Sequence, residues 1–229
     1  MTMKTKNIAI TFVVLLPLLL LGCGKDNYDE PESTLTGRVV YQGQALQVRG
    51  TDERVRLQLY QDGYARHDAI EVFVTQDGSF SAKLFDGQYK MVTRDGNGPW
   101  VNSRDTAVID VRGATNVDFE VTPYFTITDP TIAVNGNVMN TSFTINQIVE
   151  TAEIDRVLLL LNNTSFVDDG FNVMRAEFTG DDVQVGQMTL NVDFSEEPKA
   201  VNAAALFGRI CVWPSGSDQG IYSPVVRLR

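Results

Sequence analysis

"TQDGSFSAKLFDGQYKMVT", residues 75–93, decides the fold class. It reads as two strands around Asp86-Gly87, with Asp77-Gly78 turning into the first. Apolar and polar residues alternate along it, the period of a strand with one face on a core. A D-G pair suits a tight turn, because glycine accepts the positive φ that a hairpin turn demands.

The same rhythm runs outward in both directions. Val55, Leu57 and Leu59 alternate with Arg56, Gln58 and Tyr60, and Ile70, Val72 and Val74 alternate with Glu71, Phe73 and Thr75. "TAVIDV" and "NVDFEV" follow, separated by Arg112-Gly113, with Val117, Phe119 and Val121 on one face. Many short strands at this spacing are the signature of a β-sandwich. Pro123 closes that run, and Tyr124-Phe125 opens another with no long linker. "TSFTINQI", "IDRVLLLLNN", "FNVMRAEF", "GQMTLNVDF", "ALFGRICVW" and "SPVVRLR" then read as further strands. Leu158 to Leu161 could pass for helix, but its β-rich flanks favour a strand buried on both faces. The expected fold is all-β, with two consecutive β-sandwich domains at 35–122 and 123–229.

Ahead of them, Lys4 and Lys6 precede an almost unbroken apolar run from Ile8 to Leu21. That is a charged n-region and an h-region too short for a comfortable membrane span. The run ends Leu20-Leu21-Gly22-Cys23, which resembles the lipobox of bacterial lipoproteins, although leucine stands where a small residue is preferred. Residues 1–22 are thus expected to be a lipoprotein signal peptide, and 23–34 a tether lipidated at Cys23. Several acyl chains anchor stably where one is marginal. Lys25-Asp26 and Asp29-Glu30 resemble the surface-export signal of Bacteroidetes lipoproteins. They point to an outer-membrane protein facing the exterior, with the inner face of that membrane as the alternative.

Composition narrows the function. Of 19 basic residues two lie in the leader, leaving 17 against 29 acidic ones. Such acidity argues against a nucleic-acid partner, whose phosphates need a basic surface. With Cys23 lipidated, Cys211 has no disulfide partner, and its apolar setting reads as an inert buried thiol. One histidine, His67, is too few for an ordinary zinc site and lies in a polar stretch ill suited to a Ser-His-Asp system. No glycine-rich phosphate loop is present. The expectation is a non-enzyme with no cofactor and no metal, though calcium at the Asp168 or Asp181 loops stays open. The acidic doublets, Asp168-Asp169 among them, read as solvated turns.

"GRVVYQGQAL" and "VRLQLYQDG", followed by "DGSFSAKLFDGQYKMV", resemble the transthyretin-like or carboxypeptidase-regulatory-like sandwich. "FDGQYKMV", "NGPWV", "VTPYF" and the tail "YSPVVRLR" look like a two-domain Bacteroidetes surface lipoprotein family of unknown function. In that family an immunoglobulin-like domain follows the transthyretin-like one. The resemblance implies association with polysaccharide-utilisation systems. It implies an accessory role in glycan binding or uptake beside an outer-membrane receptor and a glycan-binding lipoprotein. It carries no catalytic residues and supports lipidation of Cys23.

Sugar sites combine an exposed aromatic face with amides and charges. Trp100 lies in "RDGNGPWVNSRD" with Asp95, Asn97, Asn102 and Arg104, the loop whose composition best suits a glycan. The competing reading, which weighs more, is that Trp100 caps the sandwich edge or packs between the domains. Trp213 and Tyr64 are weaker candidates of the same kind. Asp105-Thr106-Ala107 resembles the O-glycosylation motif of secreted Bacteroidetes proteins, marking Thr106. Two functional readings follow. One is a glycan-binding accessory protein; the other is a structural or assembly subunit that docks on a receptor or partner lipoprotein without binding sugar. A glycoside hydrolase is the remote third.

Overall fold

Among the described residues sixteen strands make up four sheets, and the period-two pattern accounts for nearly all of them. The computed structural model describes residues 29–63, 67–103 and 105–229; Cys23, Tyr64 and Arg104 lie outside the described residues. Residues Glu32–Arg229 form one unit, and Met1–Pro31 another of which only 29–31 are described.

Strand β1 (Ser33–Tyr41) is the hub of the first sheet. Along one edge it pairs antiparallel with β2 (Gln44–Ala45) and β5 (Ser79–Leu84), and it runs parallel to β8 (Ala114–Glu120). The facing sheet runs β4 (Ile70–Phe73), β3 (Arg56–Tyr60), β6 (Gly87–Thr93), β7 (Ala107–Val111). Leu35, Val39, Phe80, Leu84 and Phe119 from the first sheet join Leu57, Leu59, Val72, Tyr89, Met91 and Val111 from the second in one buried core. Gly37 is where β1 packs tightest against its two neighbours in the first sheet, β5 and β8. A Cβ there would sit 1.8 Å from the Val117 carbonyl oxygen and 2.6 Å from the Phe80 ring, so only glycine fits.

The second half builds another pair of sheets. One is β9 (Phe125–Asn135), β10 (Val138–Gln147) and β13 (Gly186–Asp193). The other runs β12 (Met174–Phe178), β11 (Ile154–Asn162), β14 (Phe207–Pro214), with β15 (Ile221–Tyr222) and β16 (Val226–Arg227) both on β14. The leucine run is a strand buried on both faces. Leu159 and Leu161 enter the main core, and Leu158 and Leu160 a smaller cluster with Val167, Cys211, Trp213 and Tyr222. Strand β9 was hidden in the sequence because Asp129-Pro130 interrupts its pattern. The structure absorbs both residues in a bulge: Asp129 takes φ 51° and the register against β10 shifts between Ser142 and Thr144.

Candidate functional site

The loop after β6 was singled out for sugar binding by Trp100, and the structure assigns that residue elsewhere. Trp100 is 1% exposed and sits in the core shared by both halves, with a backbone bridge to Pro123. Gly98, at φ 112°, lets the ring fold back against its own loop; a Cβ there would lie 2.3 Å from the indole. The apolar ring gains more from burial than from display, so the indole presents no face for a sugar. Trp213 is 7% exposed, with its Nε1 donating to the Ser217 carbonyl at 3.0 Å and the Arg156 guanidinium 4.3 Å above its ring. It too is a packed side chain.

The rest of the loop divides between two depressions. Asp95 and Asn97 belong to a cleft of about 300 Å³ with Arg54, Arg56, Arg94 and Gln219. Asn102 and Thr106 belong to an open groove of about 750 Å³ between that loop and residues 118–122. Asn97 is buried and acts as a bracket. Its Oδ1 accepts from the Arg56 amide at 2.7 Å, and its Nδ2 donates to the Arg54 carbonyl at 2.7 Å and to Asp218 Oδ2 at 3.1 Å. The Gly98 amide donates to Asp218 Oδ1 at 3.1 Å. One loop of the first sandwich is thereby tied to the β14–β15 loop of the second. Thr106 is exposed in the extended segment before β7, as a modification site requires.

The polar network that joins the two halves had no signal in the sequence. Arg209, on β14, is fully buried and donates to four carbonyls: Ser223 at 2.7 Å, Val48 at 3.0 Å, Val167 at 3.1 Å and Gln76 at 2.8 Å. Its guanidinium stacks 4.5 Å from the centre of the Tyr222 ring, and burial lowers its pKa to about 10. The Tyr222 amide donates to the Gln47 carbonyl at 2.9 Å, adding a bridge from β15 to the first sandwich.

Asp168, expected in a solvated turn and as an open calcium candidate, is instead buried. Its carboxylate accepts from the Thr51 amide at 3.1 Å and hydroxyl at 2.9 Å, and from the amides of Gly170 and Phe171 at 3.0 Å each. Arg49 Nε lies 3.7 Å away. These donors take up its lone pairs, which corrects the solvated-turn reading. Its neighbour Asp169 pairs with Arg175 at 2.7 Å. Cys211 is buried, and desolvation pushes its thiol up to about 12, which makes it a poor nucleophile. His67 is exposed.

A third depression lies where the halves meet on the β1–β2 side. It measures about 790 Å³ and is lined by Tyr41, Gln42, Gln44 and Gln47 of the first sandwich and Thr128 and Asn146 of the second. Gln42 Nε2 donates to the Tyr41 hydroxyl at 3.2 Å, and Asn146 Nδ2 to the Thr128 hydroxyl at 3.0 Å. Gln44 is exposed at the same groove, and among the described residues its carboxamide makes no hydrogen bond. The sequence signal existed in "YQGQALQ", but it read as strand and turn only.

Two family models match the chain. The N-terminal domain of a protein of unknown function (DUF3823) covers residues 33–122, and the domain of unknown function DUF3823_C covers 125–227. A DUF3823 family protein from Parabacteroides merdae is similar at 55% identity and TM-score 0.84, covering 88% of this chain and 100% of its own. One from Bacteroides ovatus is 33% identical, with TM-score 0.76 over 86% and 98%. A proposed carbohydrate binding protein from Bacteroides uniformis shares the fold at 16% identity and TM-score 0.73, over 87% and 99%. No curated protein matches the chain. With both domains matched in order across nearly all of the two sandwiches, the chain belongs to the DUF3823 family.

Proposed function

We propose that the protein is a non-catalytic, glycan-binding accessory lipoprotein, anchored through Cys23 on the outer face of an outer membrane and serving polysaccharide capture beside a receptor. The observation that carries the binding role is the groove between the two sandwiches. Its volume suits a few sugar rings. Its Gln42, Gln44, Gln47 and Asn146 carboxamides offer both donors and acceptors to hydroxyls, and Tyr41 offers a half-exposed ring. Groups held by two sandwiches joined through Arg209 and Asn97 are preorganised, which lowers the entropy lost on binding. The fold shared with a proposed carbohydrate binding protein supports the same reading.

Affinity electrophoresis of the purified protein in gels containing single polysaccharides tests it. Retardation is expected on at least one neutral polysaccharide, and Tyr41→Ala with Gln44→Ala should abolish it while the melting temperature holds. Retention on none, with co-purification of a membrane receptor, would replace this reading with the assembly-subunit one.

A further inference from the structure

Three arginines meet at the cleft on the other side of the Asn97 bracket. Arg54, Arg56 and Arg94 line it with Asn97, Asp218 and Gln219. In a chain of 29 acidic residues against 19 basic ones, that is a local reversal of sign. Like charges repel, so a cluster of guanidiniums is disfavoured unless something anionic sits among them.

Two carboxylates, Asp95 and Asp218, line the same cleft, so three guanidiniums face two acids and one positive charge is left over. Both Asp218 oxygens are engaged, by the Gly98 amide and by Asn97 Nδ2. Among the described residues the Arg54 and Arg94 guanidiniums make neither an ion pair nor a hydrogen bond. Arg56 is steered by its Nε bond to the Glu53 carbonyl at 2.8 Å and by the Phe73 ring 5.0 Å away. The backbone beneath is rigid, because Asn97 bonds the Arg54 carbonyl, the Arg56 amide and, through its own amide, the Arg94 carbonyl. Three cationic forks are therefore mounted on one bracket. The second, independent observation is Gln219. It is 5% exposed, lines the same cleft, and its Oε1 has no hydrogen-bond partner. An unpaired buried amide oxygen is costly, and a hydroxyl donor entering the cleft beside it would offset that cost.

We infer that this cleft binds an acidic saccharide, its carboxylate or sulfate held by Arg54 and Arg94 and a ring hydroxyl donating to Gln219. Guanidinium forks match such oxyanions in geometry and bond them more strongly than neutral donors do. A simple inorganic anion would satisfy the arginines but leave Gln219 unpaired. The site is distinct from the amide-lined groove, so each reading fails on its own evidence.

Isothermal titration of the purified protein against a tetragalacturonate, a chondroitin sulfate tetrasaccharide, maltotetraose and sodium sulfate tests the inference. At least one of the two acidic saccharides should bind, and affinity should fall about tenfold or more as sodium chloride rises from about 50 to about 500 mM. Arg54→Gln with Arg94→Gln should weaken it by about tenfold or more, since each loses a charge-assisted bond. Gln219→Ala should weaken the saccharide and leave sodium sulfate unaffected. Both arginine side chains reach solvent, so a retained melting temperature separates a binding loss from misfolding. Tyr41→Ala should leave this binding unchanged. The inference is overturned if neither acidic saccharide binds or if maltotetraose binds as tightly. It is also overturned if the double arginine variant keeps wild-type affinity, or if sodium sulfate binds as well as the saccharides.

Discussion

Replacing Arg209 by methionine should cost the protein at least about 3 kcal/mol. Methionine keeps much of the apolar stem but removes every donor from a site with no access to water. Four carbonyls then lose a bond, and three of them, those of Val48, Val167 and Ser223, accept no other backbone hydrogen bond among the described residues. Val48, Val167 and Ser223 are all buried. A buried acceptor left unsatisfied costs about 1–3 kcal/mol, so three cost at least about 3 even at the low end. The guanidinium's stacking on Tyr222 is lost as well. Against this stands the relief of no longer desolvating a cation, whose cost is visible in the lowered Arg209 pKa. That relief does not restore the carbonyls. Urea unfolding followed by tryptophan fluorescence measures the difference, and Trp100 and Trp213 report one from each sandwich. Val48 and Gln76 belong to the first sandwich and Val167 and Ser223 to the second, so the variant should also separate the two transitions. A loss below about 1 kcal/mol with a single unchanged transition would refute the claim that Arg209 holds the halves together.

Two further outcomes follow from burial. Trp100→Ala should destabilise by about 3–5 kcal/mol, the usual range for emptying a large aromatic site, lowering the melting temperature by at least about 6 °C. A change under about 1 kcal/mol accompanied by lost polysaccharide retention would instead return Trp100 to the stacking role. For Cys211, whose folded pKa of about 12 stands above its ordinary 9.0, stability is complete below pH 9 and lost as pH rises toward 12. The stability of wild type relative to Cys211→Ala should therefore decline between pH 9 and 10.5. The native thiol should resist a disulfide reagent at pH 8 that labels it at once in urea; ready labelling of the native protein would contradict its burial.

Much of the fold was legible because strands announce themselves locally. Ile70 to Thr75, the D-G turns at Asp77-Gly78 and Asp86-Gly87, and the two-sided leucine run of β11 each follow from nearest neighbours in the chain. Strand β9 was not legible, since its bulge at Asp129-Pro130 breaks the very alternation that marks a strand. The candidate loop was recognised from its composition, and of the two readings of Trp100 the packing one is what the structure shows. Its indole turned inward over Gly98, while Arg94 and Asn97 to one side and Asn102 and Thr106 to the other line separate depressions.

From its sequence alone this protein reads as an all-β chain, acidic, with Leu-Leu-Gly-Cys resembling a lipobox at 20–23 and no recognisable catalytic pattern. Periodicity, turn chemistry and charge balance are properties of neighbouring residues and need no coordinates. The tertiary structure decided everything that depends on residues distant in the chain. Asp168 became a buried anchor because Thr51 stands against it from 117 positions away. Arg209 became a clamp because Val48 and Gln76, 161 and 133 positions away, turn their carbonyls toward it. Arg54 and Arg94 became one cationic cleft because Asn97 bonds the backbone of both. Arginine and aspartate are ordinarily surface residues, so only the partners supplied by folding reveal when they are not.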